Sequence, residues 1–153
     1  MTILTQQPHI ILASSSVYRQ ELLSRLQVPF TVLVPHVDET PMPGETPPQT
    51  ATRLAREKAE NVAKSNPNAI VIGSDQVATL HNLQIGKPGN HANALKQLQL
   101  MRGQKVIFHT ALCVVCPTSS HWPLQVDNVA TEVTFRNLPD AELDAYLFAS
   151  VFL

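Results

Sequence analysis

Residues 69–76 read Ala-Ile-Val-Ile-Gly-Ser-Asp-Gln, an apolar run that ends in a glycine, a serine and a carboxylate. A short continuous apolar run is typical of a strand buried on both faces of a parallel sheet. We predict that this strand ends near Gly73, which places Asp75 just past its carboxyl end. Ligands of open α/β sheets collect at that edge, so this stretch bears on both the fold class and the site.

The segments that precede this strand follow an α/β pattern. Residues 9–13 form another buried apolar run, and Ser16, at the end of a serine-rich turn, is a natural N-cap for a helix. Residues 30–34 predict the next strand. An apolar stripe at helical spacing over residues 51–63 predicts a long helix. Strand, turn, helix and strand in this order begin a βαβ arrangement.

The second half of the chain favours longer, half-exposed strands. Lys105 to Cys116 and Leu124 to Phe135 alternate between apolar and polar residues, which predicts an antiparallel pair on the same sheet. Asn90 is predicted to cap the helix that precedes this pair, and Gly103 to end it. We therefore expect an α/β fold with a mixed sheet flanked by helices, in a single domain over residues 1–153.

The final helix is predicted to begin after Asn137-Leu138-Pro139 and to run through Leu143, Tyr146 and Leu147 without a stop signal before Leu153. No glycine or asparagine cap precedes Leu153, and the last residues are apolar. We expect a chain that lacks a C-terminal portion, with an uncapped helix end that favours self-association, for example as a homodimer.

Composition and charge exclude several classes of function. The chain has 153 residues, 44% of them hydrophobic, and a formal net charge of −1 without a basic stripe, so binding to a nucleic-acid polymer is not expected. Neither a signal peptide nor an apolar stretch of about 20 residues is present, which indicates a cytoplasmic chain without a membrane partner. Cys113 and Cys116 lie on an alternating strand, where residues three apart face opposite sides, so we interpret them as two buried, unpaired thiols.

Two segments carry groups suited to binding phosphate. Ser14 ends a strand where backbone N–H groups of the following helix are available to an anion, and Arg19 lies in the first turn of that helix. Ordinary capping beside a solvated arginine is the alternative interpretation. Lys58 lies on the apolar stripe of its helix, so its ammonium either reaches the edge of the core or enters a cleft, whereas Arg53 is interpreted as solvated.

Carboxylates follow two of the predicted strands. Glu39 comes after the strand over residues 30–34, Asp75 follows Gly73, and Lys87 stands between a glycine and a proline shortly afterwards. Cations and carboxylates together suit a metal-bound phosphate ester, with a carboxylate that binds the metal or takes a proton from water. An Asx turn followed by a hairpin would explain Asp75 and its neighbours equally well.

In chain order these motifs resemble the Maf family of nucleotide pyrophosphatases. The resemblance runs from about Ile10 to Ala149 and is carried by Leu-Ala-Ser-Ser-Ser with Arg19, Val-Asp-Glu-Thr, Ala-Arg-Glu-Lys-Ala, Ile-Gly-Ser-Asp-Gln-Val and Gly-Lys-Pro. It implies an elongated α/β fold with a cleft, a divalent cation such as Mg²⁺ or Mn²⁺, and hydrolysis of a nucleoside triphosphate between the α and β phosphates.

The resemblance also assigns roles to individual residues. Asp75 matches the carboxylate that accepts the proton and, with Glu39, would hold the metal. Phosphate and substrate binding fall to Ser14, Arg19, Lys58 and Lys87. Tyr18 and Gln76 match positions associated with substrate choice, and the Ser-Asp-Gln-Val form resembles the YceF-type branch, which is linked to 7-methyl-GTP. Family members continue past Ala149, so a nucleotide-binding remnant without turnover is the alternative function, and an unrelated phosphatase that releases orthophosphate is a third.

Overall fold

The structure of the chain is a computed structural model that describes residues 7–150. In chain order the helices and strands are β1 (Ile10–Ala13), α1 (Val17–Ser24), β2 (Phe30–Leu33), α2 (Pro47–Ala63), β3 (Ile70–Leu80), β4 (Leu83–Ile85), α3 (His91–Met101), β5 (Lys105–Val115), β6 (Leu124–Thr134) and α4 (Asp140–Ala149). Among these residues no helix is both long and apolar enough to cross a membrane.

The strands form one mixed sheet. Its order is β2-β1-β3-β5-β6, with β4 paired to β3. β1 runs parallel to both of its neighbours, and its last residue, Ala13, is in register with Leu33 of β2 and Gly73 of β3. Backbone hydrogen bonds join Cys116 to Pro123 at one end of β5 and Gln104 to Phe135 at the other, so β5 and β6 are antiparallel. The predicted α/β class with a mixed sheet is confirmed.

The described residues divide into two compact units. The first runs up to Asp75 and adds Thr110–Asn128, and the second holds Gln76–His109 and the residues from Val129 onward. The single domain expected over residues 1–153 remains a prediction.

In the first unit, α2 packs on the parallel strands. Its buried side chains include Leu54, Ala55 and Ala59, and Ile11 of β1 and Val71 of β3 are also fully buried. Gly73 permits this approach, since a Cβ atom there would lie 2.3 Å from the carbonyl oxygen of Ala55. α2 begins at a capping box in which the Thr46 hydroxyl accepts from the Gln49 N–H and the Gln49 side chain accepts from the Thr46 N–H.

The second unit has its own apolar cluster of Leu80, Met101 and Val106. Asn90 caps α3 as predicted, and Gly103 follows the helix with a positive φ of 69°. The turn between β3 and β4 uses His81 and Asn82, which both have positive φ angles, as hairpin turns with a matching twist require.

Leu143 and Leu147 are the buried residues of α4, whereas Tyr146 is 60% exposed. One expectation for this helix is wrong. α4 does not run on without a stop, since it ends at Ala149 and the Ser150 hydroxyl donates to the carbonyl of Tyr146. The predicted continuation through residues 151–153 lies outside the described residues.

Candidate functional site

Lys58 is the centre of a buried charge cluster in the first unit. It lies on α2 between Leu54 and Val62 and is only 7% exposed, so its stem follows the apolar stripe as predicted. Its Nζ atom donates to Oδ1 of Asp75 at 2.8 Å and contacts Oε1 of Glu39 at 2.6 Å. One ammonium group therefore joins two carboxylates that the sequence places far apart.

Asp75 lies in the middle of a strand, which corrects the expectation that it follows one. β3 continues to Leu80, because Val77 and Leu80 bury their side chains and β4 pairs with the end of the strand. The neighbouring β1 stops at Ala13, opposite Gly73, so β3 outlasts it by several residues. Asp75 thus stands beyond the carboxyl end of β1 rather than beyond its own, and the alternative of an Asx turn is excluded.

The start of α1 supplies polar groups as predicted. Ser14 is buried, and its hydroxyl accepts from the N–H of Ser16, whose own hydroxyl caps the helix by accepting from the N–H of Arg19. Burial lowers the pKa of the Arg19 guanidinium, and the negative charges of Asp75 and Glu39 act against that shift. Arg19 therefore lies within electrostatic reach of the Lys58 cluster and is not a purely solvated side chain.

The loop that carries Glu39 is held by Arg53, which the sequence predicts to be solvated. Arg53 is not solvated, since its guanidinium binds the Glu45 carboxylate at 2.6 and 3.0 Å and the carbonyl of Thr40 at 3.0 Å. The signal for this arrangement was the run Glu45-Thr46-Pro-Pro-Gln49, which marks a helix start with an acidic residue beside it.

The remaining predicted site residues are placed differently. Tyr18 is 53% exposed in the first turn of α1, next to Arg19. Gln76 and Lys87 belong to the second unit, where both are exposed and Lys87 lies between β4 and α3. The structure thus brings Glu39, Lys58 and Asp75 into direct contact.

The donor set of this cluster fits a hard divalent cation. Mg²⁺ is commonly bound by one or two carboxylates together with substrate phosphates and water. Glu39 and Asp75 offer such a pair, since each has an oxygen within 2.8 Å of the same nitrogen atom. No group of three or more histidine, cysteine or acidic side chains converges anywhere in residues 7–150, so any cation here would rely on the phosphates for its other ligands.

Cys113 and Cys116 are unpaired, as predicted, but only Cys113 is buried and Cys116 is partly exposed. Burial raises the pKa of the Cys113 thiol to about 11, with a further contribution from Glu60. A thiol that stays protonated at neutral pH is a poor nucleophile and a poor metal ligand, so Cys113 takes no part in the site.

Known proteins resemble this chain in sequence over most of its length. The family model described as Maf-like protein matches residues 9–150. A protein named 7-methyl-GTP pyrophosphatase from Ralstonia nicotianae is 60% identical over 142 residues, which cover 92% of this chain and 72% of that relative. A protein of the same name from Cupriavidus metallidurans is 58% identical over 92% of this chain and 70% of its own.

Solved structures resemble it in fold. A HAM1 protein from Coxiella burnetii superposes with a TM-score of 0.56 at 16% identity, covering 87% of this chain and 75% of that one. The sequence matches carry the assignment to a family, because the family model spans nearly all described residues and contains every motif that surrounds the Lys58 cluster. The chain therefore belongs to the Maf family.

Proposed function

We propose that the chain hydrolyses a nucleoside triphosphate, with 7-methyl-GTP as its preferred substrate, to the monophosphate and pyrophosphate. The observation that carries the proposal is the contact of Lys58 with both Asp75 and Glu39, with Arg19 in electrostatic reach. Support for the substrate comes from relatives named 7-methyl-GTP pyrophosphatase at 58–60% identity.

The residues can be assigned to steps of the reaction. Hydrolysis breaks the oxygen bridge between the α and β phosphorus atoms, adds a hydroxyl group from water to one of them, and releases a proton. Asp75 takes up that proton through its carboxylate, which Lys58 holds in place. Arg19 and Lys58 stabilise the negative charge that grows on the phosphate oxygens. The phosphate-binding role that the family resemblance gives to Lys87, in the second unit, stays a prediction. Ser14 and the N-terminus of α1 orient the phosphate chain.

Glu39 and Asp75 would also hold the divalent cation. When bound, such a cation neutralises phosphate charge and polarises the phosphorus that is attacked. Both carboxylates already contact the same cationic group, the Lys58 ammonium, so the space between them favours positive charge. Mg²⁺ or Mn²⁺ suits these oxygen ligands.

Tyr18 and Gln76 select the base in this proposal. The ring of Tyr18 is 53% exposed at the start of α1, where it can stack on a purine. Methylation at N7 gives guanine a positive charge, and an aromatic face attracts a cation. We further propose that the chain acts in the cytoplasm, where its unpaired thiols stay reduced, and that it forms a homodimer.

The function is tested by incubating the purified chain with 7-methyl-GTP, GTP, dTTP and UTP, with Mg²⁺ or Mn²⁺ and with a chelator. We expect pyrophosphate, a higher kcat/KM for 7-methyl-GTP than for the pyrimidine nucleotides, and loss of turnover with the chelator. Orthophosphate as the product, or nucleotide binding by calorimetry without turnover, would contradict the proposal.

The first prediction concerns Asp75. Asp75→Asn should lower kcat by about 10²–10⁴-fold, since an amide cannot take the proton from water. Asp127→Asn is the matched control, because Asp127 also lies on a strand but is exposed on β6, where its carboxylate accepts from a neighbouring N–H. A kcat for Asp75→Asn close to that of the control would remove Asp75 from the mechanism. Melting temperatures of both variants show whether the fold is kept.

A further inference from the structure

The segment that carries Glu39 has no helix or strand of its own to fix it. Residues 34–46, here the Glu39 loop, connect β2 to α2, and the Glu39 side chain is 55% exposed. A half-exposed carboxylate on a loop keeps a fixed position only if the backbone around it is anchored. The position of the Glu39 carboxylate therefore depends on the contacts that anchor this loop.

Arg53 anchors the Glu39 loop at two points. Its Nη2 atom donates to the carbonyl oxygen of Thr40, the residue that follows Glu39, at 3.0 Å. Its Nε and Nη2 atoms donate to the two oxygens of Glu45, at 2.6 and 3.0 Å, in a bidentate arrangement. Arg53 is one and a half turns before Lys58 on α2, so the helix that presents the ammonium group also holds the loop.

Glu45 anchors the end of the loop to the N-terminal half of α2. Its Oε1 atom accepts from the Thr50 hydroxyl at 2.8 Å and from the Met42 N–H at 3.2 Å. The hydrogen bond from Arg53 lowers the pKa of Glu45 to about 2, so the carboxylate is ionised at any pH at which the enzyme would work. Glu57, on the next turn of α2, accepts a further bond from Arg53 at 3.1 Å and sets the plane of the guanidinium.

We propose that Arg53 is a positioning residue of this enzyme, which holds the Glu39 carboxylate against Lys58 and Asp75 by gripping the backbone at Thr40 and the side chain of Glu45. The inference rests on the proposed function and adds a residue to it. Arg53 acts through Glu39 and does not itself contact the reacting groups.

Lysine cannot take over this role. An ammonium group is a single point of charge, whereas the planar guanidinium reaches Glu45, Glu57 and the Thr40 carbonyl at the same time from fixed directions. Arg53→Lys therefore keeps the charge and the helix propensity but loses the grip on the loop. Arg56→Lys is the matched control, because Arg56 lies on the same helix, exposed, in an ion pair with Glu60.

The second prediction is that Arg53→Lys lowers kcat/KM by about 10–100-fold, the usual effect of losing a residue that holds a metal-binding side chain in position without binding the metal itself. The metal concentration for half-maximal rate should rise as well, while Arg56→Lys stays close to wild type in both. Hydrogen exchange of the amides in residues 38–46 should be faster in Arg53→Lys and unchanged in Arg56→Lys. Glu45→Gln, which weakens the same grip from the loop side, should reproduce the faster exchange.

A double-mutant cycle with Glu39→Gln separates positioning from general stability. If Arg53 acts through Glu39, Arg53→Lys should add little further loss of kcat in the Glu39→Gln background. Fully additive losses, or a kcat/KM of Arg53→Lys equal to that of Arg56→Lys, would overturn the proposal. Should wild type release no pyrophosphate from any triphosphate, the proposed function fails, and the exchange comparison alone then decides whether Arg53 holds the loop.

Discussion

At the residue scale, the ammonium group of Lys58 is a buried charge, and its burial has a free-energy cost. Removing a charge from water costs several kcal/mol, which a partner must offset. The side chains of Lys58 and Asp75 are only 8% and 11% exposed, so this pair has little contact with water. The Glu39 side chain, which is 55% exposed, lies on the solvent side of the pair. Such a pair is weak support for stability, but it makes each partner dependent on the other.

The third prediction follows from that dependence. Lys58→Met should lower the free energy of unfolding by about 3–5 kcal/mol, because it leaves the Asp75 carboxylate buried without its cation. Adding Asp75→Asn to Lys58→Met should restore part of this loss, because the amide carries no charge. Urea unfolding of wild type, the single variants and the double variant measures both effects. Equal stability of Lys58→Met and wild type would show that water or the Arg19 guanidinium offsets the burial of the Asp75 charge.

The sequence alone predicts correctly whether some side chains are buried or solvated, but not others. Lys58 could be assigned to the buried face because helical spacing places it between Leu54 and Val62. Arg53 could not, since its partners Glu45 and Thr40 lie on a loop whose path no local periodicity predicts.

At the element scale, the approach of α2 to β3 sets the distance between Lys58 and Asp75. Gly73 is the closest point, where a Cβ atom would meet the Ala55 carbonyl at 2.3 Å and the Ala59 N–H at 2.7 Å. These are backbone atoms, so no side-chain rotation could relieve the overlap. Lys58 lies between these two helix positions and Asp75 lies two residues beyond Gly73, so the contact that brings the elements together also builds the site.

The fourth prediction is that Gly73→Ala damages both stability and activity. Pushing α2 away from the strand should cost at least about 1–3 kcal/mol, the usual range for overpacking. It should also lower kcat, because a displacement of an ångström at a reacting group can cost about 10²-fold. Gly86→Ala is the control for stability, since a Cβ atom at Gly86 meets no atom within 4 Å. If Gly73→Ala and Gly86→Ala have the same free energy of unfolding in urea, α2 and β3 can move apart at Gly73 more easily than the geometry indicates.

Element boundaries followed the sequence wherever a local signal exists. The N-caps Ser16 and Asn90 have such signals, as does the turn at His81 and Asn82, and all were predicted. The length of β3 had none, because Gly73-Ser74-Asp75 is typical of a turn. The strand continues there because β5 pairs with it along one side and β4 pairs with Ala78–Leu80 at its end, a tertiary effect that outweighs local propensity.

At the scale of the whole molecule, the edge strand β6 is the most exposed strand of the sheet. None of the 11 residues of β6 is buried, and Val126, Val129 and Val133 are each more than a third exposed. β5 pairs with one side of β6, and within residues 7–150 no strand pairs with the other. Val129 and Val133 share one face, since alternate side chains of a strand point the same way. A long apolar edge strand is a template for pairing with another chain.

The last prediction is that the proposed homodimer, if it forms, uses β6. A second copy can add its own β6 to this edge, pairing backbone groups and covering Val129 and Val133 in one step. Val129→Lys should then lower the dimer fraction at a given concentration, measured by light scattering during gel filtration, because a charged side chain at the pairing edge opposes strand addition. Asn68→Lys adds the same charge at an exposed position after α2 and should leave the dimer fraction unchanged. An equal effect of both variants would mean that net charge, rather than strand pairing, governs association, whereas a wild-type chain that stays monomeric at high concentration would rule out the edge as an interface.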